Sequence, residues 1–200
     1  MAEATLTPLG VTVLALLREG DMHPYEMLRL LRFRRDDRMV KVTNGTLYHT
    51  VSRLKEQGLL DEVGVDREGN RPERTTYTLT EAGDHVVGEW VRRELGRTDH
   101  PLRFRVALAE AHNLERGEAI ALLTARLDLM RSELGDLDEG LAAARGRGVP
   151  EQYILETGRQ QALLRADLAW LEEMLPRMSA PGFAWGNDSE HLLAKRKARE

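Results

Sequence analysis

Residues 43–58 read Thr43-Asn44-Gly45-Thr46-Leu47-Tyr48-His49-Thr50-Val51-Ser52-Arg53-Leu54-Lys55-Glu56-Gln57-Gly58. Thr43 or Asn44 can cap a helix here, and Gly58 supplies the residue that ends it. Stepping about 100° per residue puts Leu47, Val51 and Leu54 on one side and Thr46, His49 and Arg53 near the other. The first side is core. The second carries hydrogen-bonding groups and a guanidinium, with no long acidic side chain before Glu56. Such a face suits the major groove of DNA, where short polar side chains allow close approach and an arginine can grip guanine. Arg53 holds a base edge or, lying far along the helix, a phosphate, since recognition helices often read with their first turns. Tyr48 and Ser52 lie on the flank, where Tyr48 either packs half-buried or meets phosphate.

The surrounding charge supports this face. The whole chain is slightly acidic, with Lys+Arg 29 against Asp+Glu 33 for a net of −4. From residue 29 to 55, however, Arg29, Arg32, Arg34, Arg35, Arg38, Lys41, Arg53 and Lys55 meet only Asp36 and Asp37, a local charge of +6. A charge run is commonly a solvated helix face; next to a polar helix face it can also neutralise phosphate, and Arg35 and Lys41 are the candidates for that task.

Working outward, Thr7-Pro8 opens a first helix that Gly20 ends, and Asp21 or His23 caps a second from Pro24. Residues 39–42 read as a short extended piece. Residues 59–65 and 74–79 are β-prone and are separated by Gly69, Asn70 and Pro72, which is hairpin chemistry. A fourth helix follows from Thr80 to Gly96. The order helix, helix, short strand, helix, hairpin, helix closes a first domain at 1–97.

The second half, 98–179, is helical. A short helix from Pro101 precedes one capped by Asn113, with Ile120, Leu123, Leu127, Met130, Leu134, Leu137 and Leu141 at alternating spacings of three and four. Such a heptad seam keeps one stripe against a partner helix. Residues 142–149 read as a turn, and Pro150 opens a last helix with the seam Leu164, Leu168, Leu171, Leu175 and Met178. The pair is an antiparallel αα-hairpin; if Leu163, Trp170 and Met174 form a second stripe, the hairpin cannot cover its apolar surface alone, which predicts a homodimer with the seam residues at its contact. Residues 180–200 are expected to be a mobile tail, and its Lys195-Arg196-Lys197-Ala198-Arg199 reads as solvated charge or as a phosphate-contacting arm.

The run Asn44-Gly45-Thr46-Leu47-Tyr48, then Arg53-Leu54, Gly58-Leu59, and Arg74 through Tyr77-Thr78-Leu79-Thr80-Glu81-Ala82-Gly83 resembles the PadR family of transcriptional regulators. His23-Pro24-Tyr25-Glu26-Met27 is similar to the family's His-Gly-Tyr-Glu-Ile segment, with Pro24 departing from the usual Gly at the helix start. Pro101-Leu102 and residues 168–173 resemble the dimerising helices of its longer members. The resemblance implies a mainly α fold, a winged helix-turn-helix followed by the αα-hairpin, in which residues 44–57 are the recognition helix and the hairpin is the wing. It implies DNA contacts at Thr46, Tyr48 and His49 and wing contacts at Arg71 and Arg74, although residues 66–77 carry no net charge. It further implies a dimeric repressor on double-stranded DNA, released in some members by a small aromatic effector. Trp90 and Trp170 are the candidates for lining such a pocket, against the ordinary reading of tryptophan at helical spacing as core.

Other classes find little footing. The chain lacks G-x-S-x-G, G-x-G-x-x-G and H-E-x-x-H patterns, its six histidines are scattered, and it has no cysteine, so no enzyme, metal site or cofactor is expected. The longest apolar run, residues 9–17, is too short to span a bilayer, and a cytoplasmic protein is expected. The competing reading is a coiled-coil interaction protein whose N-terminal domain binds protein.

Overall fold

The structure, a computed structural model, describes residues 6–66 and 74–186. Helix α1 (Pro8–Arg18) starts where Thr7 Oγ1 accepts a hydrogen bond from the Gly10 N–H at 3.1 Å, with Pro8 filling a position whose N–H needs no partner. Residues 10–17 are all buried. A helix that is apolar all round belongs inside, and α1 packs against α3, α4 and α5.

Of the two capping candidates for α2 (Pro24–Phe33), His23 does it, its Nδ1 accepting from the Tyr25 N–H at 3.0 Å. The helix ends at Arg34, Arg35 turns left-handed at φ 63°, and Asp36–Arg38 form one 3-10 turn. The extended piece expected at 39–42 makes no strand. Met22, brought round by Gly20 at φ 136°, takes that place and exchanges two 3.0 Å backbone bonds with Tyr77. Helix α3 (Asn44–Glu56) ends at Gly58, whose φ of 69° suits a residue without Cβ.

Strands β1 (Leu60–Asp66) and β2 (Arg74–Leu79) pair antiparallel, Leu60 opposite Leu79 and Asp66 opposite Arg74, with an irregularity between Glu62 and Gly64. The wing connection and Arg71 lie outside the described residues. Thr80 caps α4 (Glu81–Gly96) through the Gly83 N–H and donates its hydroxyl proton to the Gly58 carbonyl at 2.9 Å, pinning the start of α4 to the end of α3.

Helix α5 (Pro101–Ala109) leads through a 3-10 turn, Ala111–Asn113, to α6 (Arg116–Gly146), another 3-10 turn, Glu151–Tyr153, and α7 (Leu155–Ser179). Three boundaries differ from expectation. Asn113 closes the 3-10 turn, donating to the Glu110 carbonyl, while Glu115 occupies the N-cap position of α6. The expected turn at 142–149 shrinks because Ala142-Ala143-Ala144, the best helix formers, carry α6 on to Gly146. Pro150 starts a 3-10 turn, and α7 opens at Ile154.

The seam residues also behave differently. Leu123, Leu127, Met130, Leu164, Leu168, Leu171 and Leu175 are buried within the single chain, and Ile120 and Leu134 are partly buried against them. Helices α6 and α7 pack on each other, and α6 packs on α4, so the stripes expected to face a partner are used internally. One apolar cluster runs from Leu6 to Met178 across the α4–α5 turn. The expected free tail begins folded back: Trp185 Nε1 donates to the Leu114 carbonyl at 2.9 Å, and Arg116 Nη1 donates to the Phe183 carbonyl at 3.4 Å. Among the described residues no helix is long and apolar enough to cross a membrane.

Polar groups brace the α4–α5 turn. Buried Glu94 accepts from Arg93 at 3.0 Å and from Arg103 at 3.2 Å. Arg97 clasps Asp99 at 2.5 and 2.9 Å and holds its carboxyl down to about 2. Arg126 of α6 is 4% exposed, stacks 3.6 Å above the Phe104 ring and donates to the Arg97 carbonyl, while burial lowers its pKa.

Gly83 is the tightest place in this arrangement, because a Cβ there would collide with the Leu59 carbonyl and come within 2.8 Å of Leu79 Cδ1. Gly83→Ala is expected to cost about 1–3 kcal/mol, as overpacking does. In urea the midpoint of unfolding should fall with the slope unchanged.

Candidate nucleic-acid interface

Helix α3 is held by its buried face and by its cap. Leu47, Thr50, Val51 and Leu54 are buried against α1 and α2, and the Thr50 hydroxyl donates to the Thr46 carbonyl at 2.8 Å. At the N-terminus Thr43 Oγ1 accepts from the Thr46 N–H at 3.1 Å, and Thr46 Oγ1 accepts from the Thr43 N–H at 2.9 Å. This reciprocal cap satisfies two donors that a helix start leaves open. It also occupies the Thr46 hydroxyl, so the part of this exposed side chain left for a ligand is its methyl group.

Asn44, Gly45, Thr46, Tyr48, His49 and Ser52 are exposed along the free face. Tyr48 is 47% exposed. Its ring meets the His23 ring edge-on, 6.3 Å between centroids at 72°. The histidine that caps α2 thus also flanks the α3 tyrosine. Tyr25, on the first turn of α2, is 61% exposed. Helical spacing does not single it out as a surface aromatic, and its place beside the capping histidine is the one signal in the sequence that could have.

Arg53 departs from the expected geometry. Its Nη2 donates to Thr7 Oγ1 at 3.3 Å, and its Nε is buried without a partner. The side chain therefore turns back to the start of α1 instead of standing on the free face with Thr46 and His49. The long arginine stem can lie along the seam between helices, a choice helical angles do not reveal.

The basic run divides in the same way. Arg34 makes a two-pronged pair with Glu19, both contacts 2.7 Å, and that carboxylate raises its pKa. Lys55 pairs with Glu62 of β1 at 2.7 Å, which raises its pKa too. Arg32, Arg35, Arg38 and Lys41 are exposed, around the end of α2 and the approach to α3. Arg74 stands at the first position of β2.

The expected effector residues separate as well. Trp90 is 1% exposed and donates to the Leu6 carbonyl at 3.2 Å, a core position. Trp170 borders a groove of about 530 Å³ between α5, α6 and α7, together with Phe104, Leu163 and Arg126.

Two helices followed by a capped, solvent-facing third and a two-stranded wing define a winged helix-turn-helix. Residues 13–89 match the model of the transcriptional regulator PadR-like family. No curated protein matches. Among solved structures the chain is similar to Bacillus subtilis PadR in complex with operator DNA, at 19% identity, 86% of this chain, 99% of that one and a TM-score of 0.41. It is similar also to smu.1604c from Streptococcus mutans UA159, at 20%, 84%, 98% and 0.40. The Bacillus subtilis PadR complex with p-coumaric acid matches at 19%, 90%, 100% and 0.37.

The reciprocal cap is the local support of the exposed face. Thr43→Ala should lower stability by about 1 kcal/mol, read as a lower melting temperature.

Proposed function

We propose that this protein is a dimeric, sequence-specific DNA-binding repressor that lays α3 in the major groove of a pseudo-palindromic operator. The observation that carries the reading is the free face of α3, polar and without acid through its first three turns, on a helix whose start is fixed by the Thr43–Thr46 cap. With its hydroxyl occupied, Thr46 offers a methyl group suited to the C5-methyl of thymine, while His49 reaches base edges. Tyr48, steadied by His23, meets the backbone. Arg35 and Lys41 neutralise phosphate, and Arg71 and Arg74 serve the wing. Arg53 supports the reader from behind.

The second copy docks on what the folded chain leaves uncovered. Leu129 of α6 and Leu163 and Trp170 of α7 are 56%, 51% and 38% exposed. These residues replace the buried seam as the proposed dimer contact, and the two wings then meet half-sites about one helical turn apart. A small aromatic effector would find the Phe104 and Trp170 walls of the neighbouring groove.

Three measurements test this. Thr46→Ala with His49→Ala should remove about 1–3 kcal/mol of preference for duplexes selected by the native protein; unchanged affinity and selectivity would mean that α3 is not the reader. Arg35→Ala should weaken all sequences alike and reduce the salt slope by about one for each phosphate it ceases to neutralise. Trp170→Asp should yield monomers in light scattering at micromolar concentration.

A further inference from the structure

Helix α5 packs on α4 while α7 packs on α6, and the space left between α5, α6 and α7 is the groove of about 530 Å³. Two kinds of side chain line it. Leu108, Met130, Leu163 and Leu164 give it aliphatic walls, with Trp170 beside them. Arg105, Arg126 and Arg159 stand against Glu133 and Asp167, three cations and two carboxylates for a net charge of +1.

The three arginines are not equivalent. Arg105 and Arg159 are exposed to water. Arg126 is 4% exposed, and its Nε is buried without a hydrogen-bond partner. Its Nη1 donates to the Arg97 carbonyl, and its plane lies over the Phe104 ring. Burial disfavours its charge, and the nearby carboxylates of Asp167 and Glu133 offset only part of that cost. Glu133 is itself engaged by Gln160 at 2.9 Å. A guanidinium in apolar surroundings with a donor unused is a receptor for a carboxylate, because charge-assisted hydrogen bonds gain strength where water is excluded. One anionic head would also bring the charge of the groove to zero.

The same stacking restricts the rest of the ligand. One face of the Phe104 ring is covered by the guanidinium at 3.6 Å, so a flat ring entering beside Arg126 cannot stack on that face. Trp170 and Leu163, at 38% and 51% exposure, form the outer rim on α7. Deeper in, buried Met130 and Leu164 with half-buried Leu108 offer non-planar contacts that a flexible chain can follow.

We propose that this groove binds a carboxylate carried on a flexible apolar chain, of the medium-chain fatty-acid type, with its head on Arg126 and its chain along Leu108, Met130 and Leu164. The proposal rests on the reading of the groove as an effector site and names its ligand as a chain instead of a ring.

The test is calorimetric titration of the full chain with octanoate, decanoate, octanol and naphthoate, each kept below the concentration at which it aggregates. Octanoate should bind at least about tenfold more tightly than octanol. Decanoate should bind roughly fifteenfold more tightly than octanoate, since each buried methylene contributes about fourfold. Arg126→Met, which keeps an apolar stem and removes the charge, should bind octanoate no better than octanol. Its melting curve reports whether it folds, and the ratios for the native chain decide the matter without it. Equal binding of octanoate and octanol by the native chain would overturn the proposal. Tighter binding of naphthoate than of decanoate, or no gain from octanoate to decanoate, would overturn the chain-bearing ligand while leaving the groove as an effector site. Failure of all four to bind a protein that still binds its selected duplex would overturn the effector site as well, with α3 left as the reader.

Discussion

Helix α1 has no wet face between residues 10 and 17, and the molecule is arranged around that constraint. Burying a leucine or valine side chain contributes roughly 1.5–3 kcal/mol, and α1 supplies Val11, Val13, Leu14, Leu16 and Leu17 to several neighbours at once. It takes Leu47, Val51 and Leu54 of α3 on one side and Val87, Trp90 and Val91 of α4 with α5 on another. The proposed reading helix and the αα-hairpin therefore share one core. The polar face of α3 is outward because the opposite face has no other place to go.

This constraint explains which parts of the fold are legible in the amino-acid sequence. Thr7-Pro8, Pro24, Thr80 and Gly58 are local signals whose chemistry acts within one turn, and the elements they bound lie where they are read. The departures are tertiary. Met22 pairs with Tyr77 across more than fifty residues, which no local β-propensity at 39–42 could reveal. The heptad seams of α6 and α7 are real stripes, but periodicity gives a stripe and not its partner. Here the hairpin folds over α4, and the second stripe read at Leu163 and Trp170, joined by Leu129 of α6, is left in water.

The candidate site divides along the same line. Helical angles put Thr46 and His49 on the free face and Tyr48 on its flank, and all three are exposed. The angles fail for Arg53, whose long side chain crosses to Thr7, and they do not reveal that the Thr46 hydroxyl is used by the cap. A count of eight basic residues treats Arg34, Lys55 and Arg35 alike. Glu19, at the end of the preceding helix, and Glu62, on the following strand, neutralise the first two in place. The positive field near α3 is consequently narrower than the composition suggests and lies on its approach, at Arg35, Arg38 and Lys41.

The α4–α5 turn looks from its Gly96 and Pro101 like a hinge, but its side chains resist bending. Rotating α5 away from α4 would separate buried Glu94 from Arg103 and pull Arg97 from the guanidinium of Arg126. Phe104 and the Arg97 carbonyl are in direct contact with Arg126, and the nearby carboxylates of Asp167 and Glu133 offset part of its burial. Losing either contact would leave more of the desolvation cost of a buried cation unbalanced, a cost of several kcal/mol for a wholly uncompensated group. In the proposed dimer, a change in spacing between the two α3 helices is therefore opposed at this turn and easier at the surface between copies. A ligand against Phe104 and Trp170 would touch both places, because Phe104 supports Arg126 while Trp170 belongs to the exposed stripe of α7. Its leverage on the DNA-facing helices would come from disturbing the stacking of one buried guanidinium.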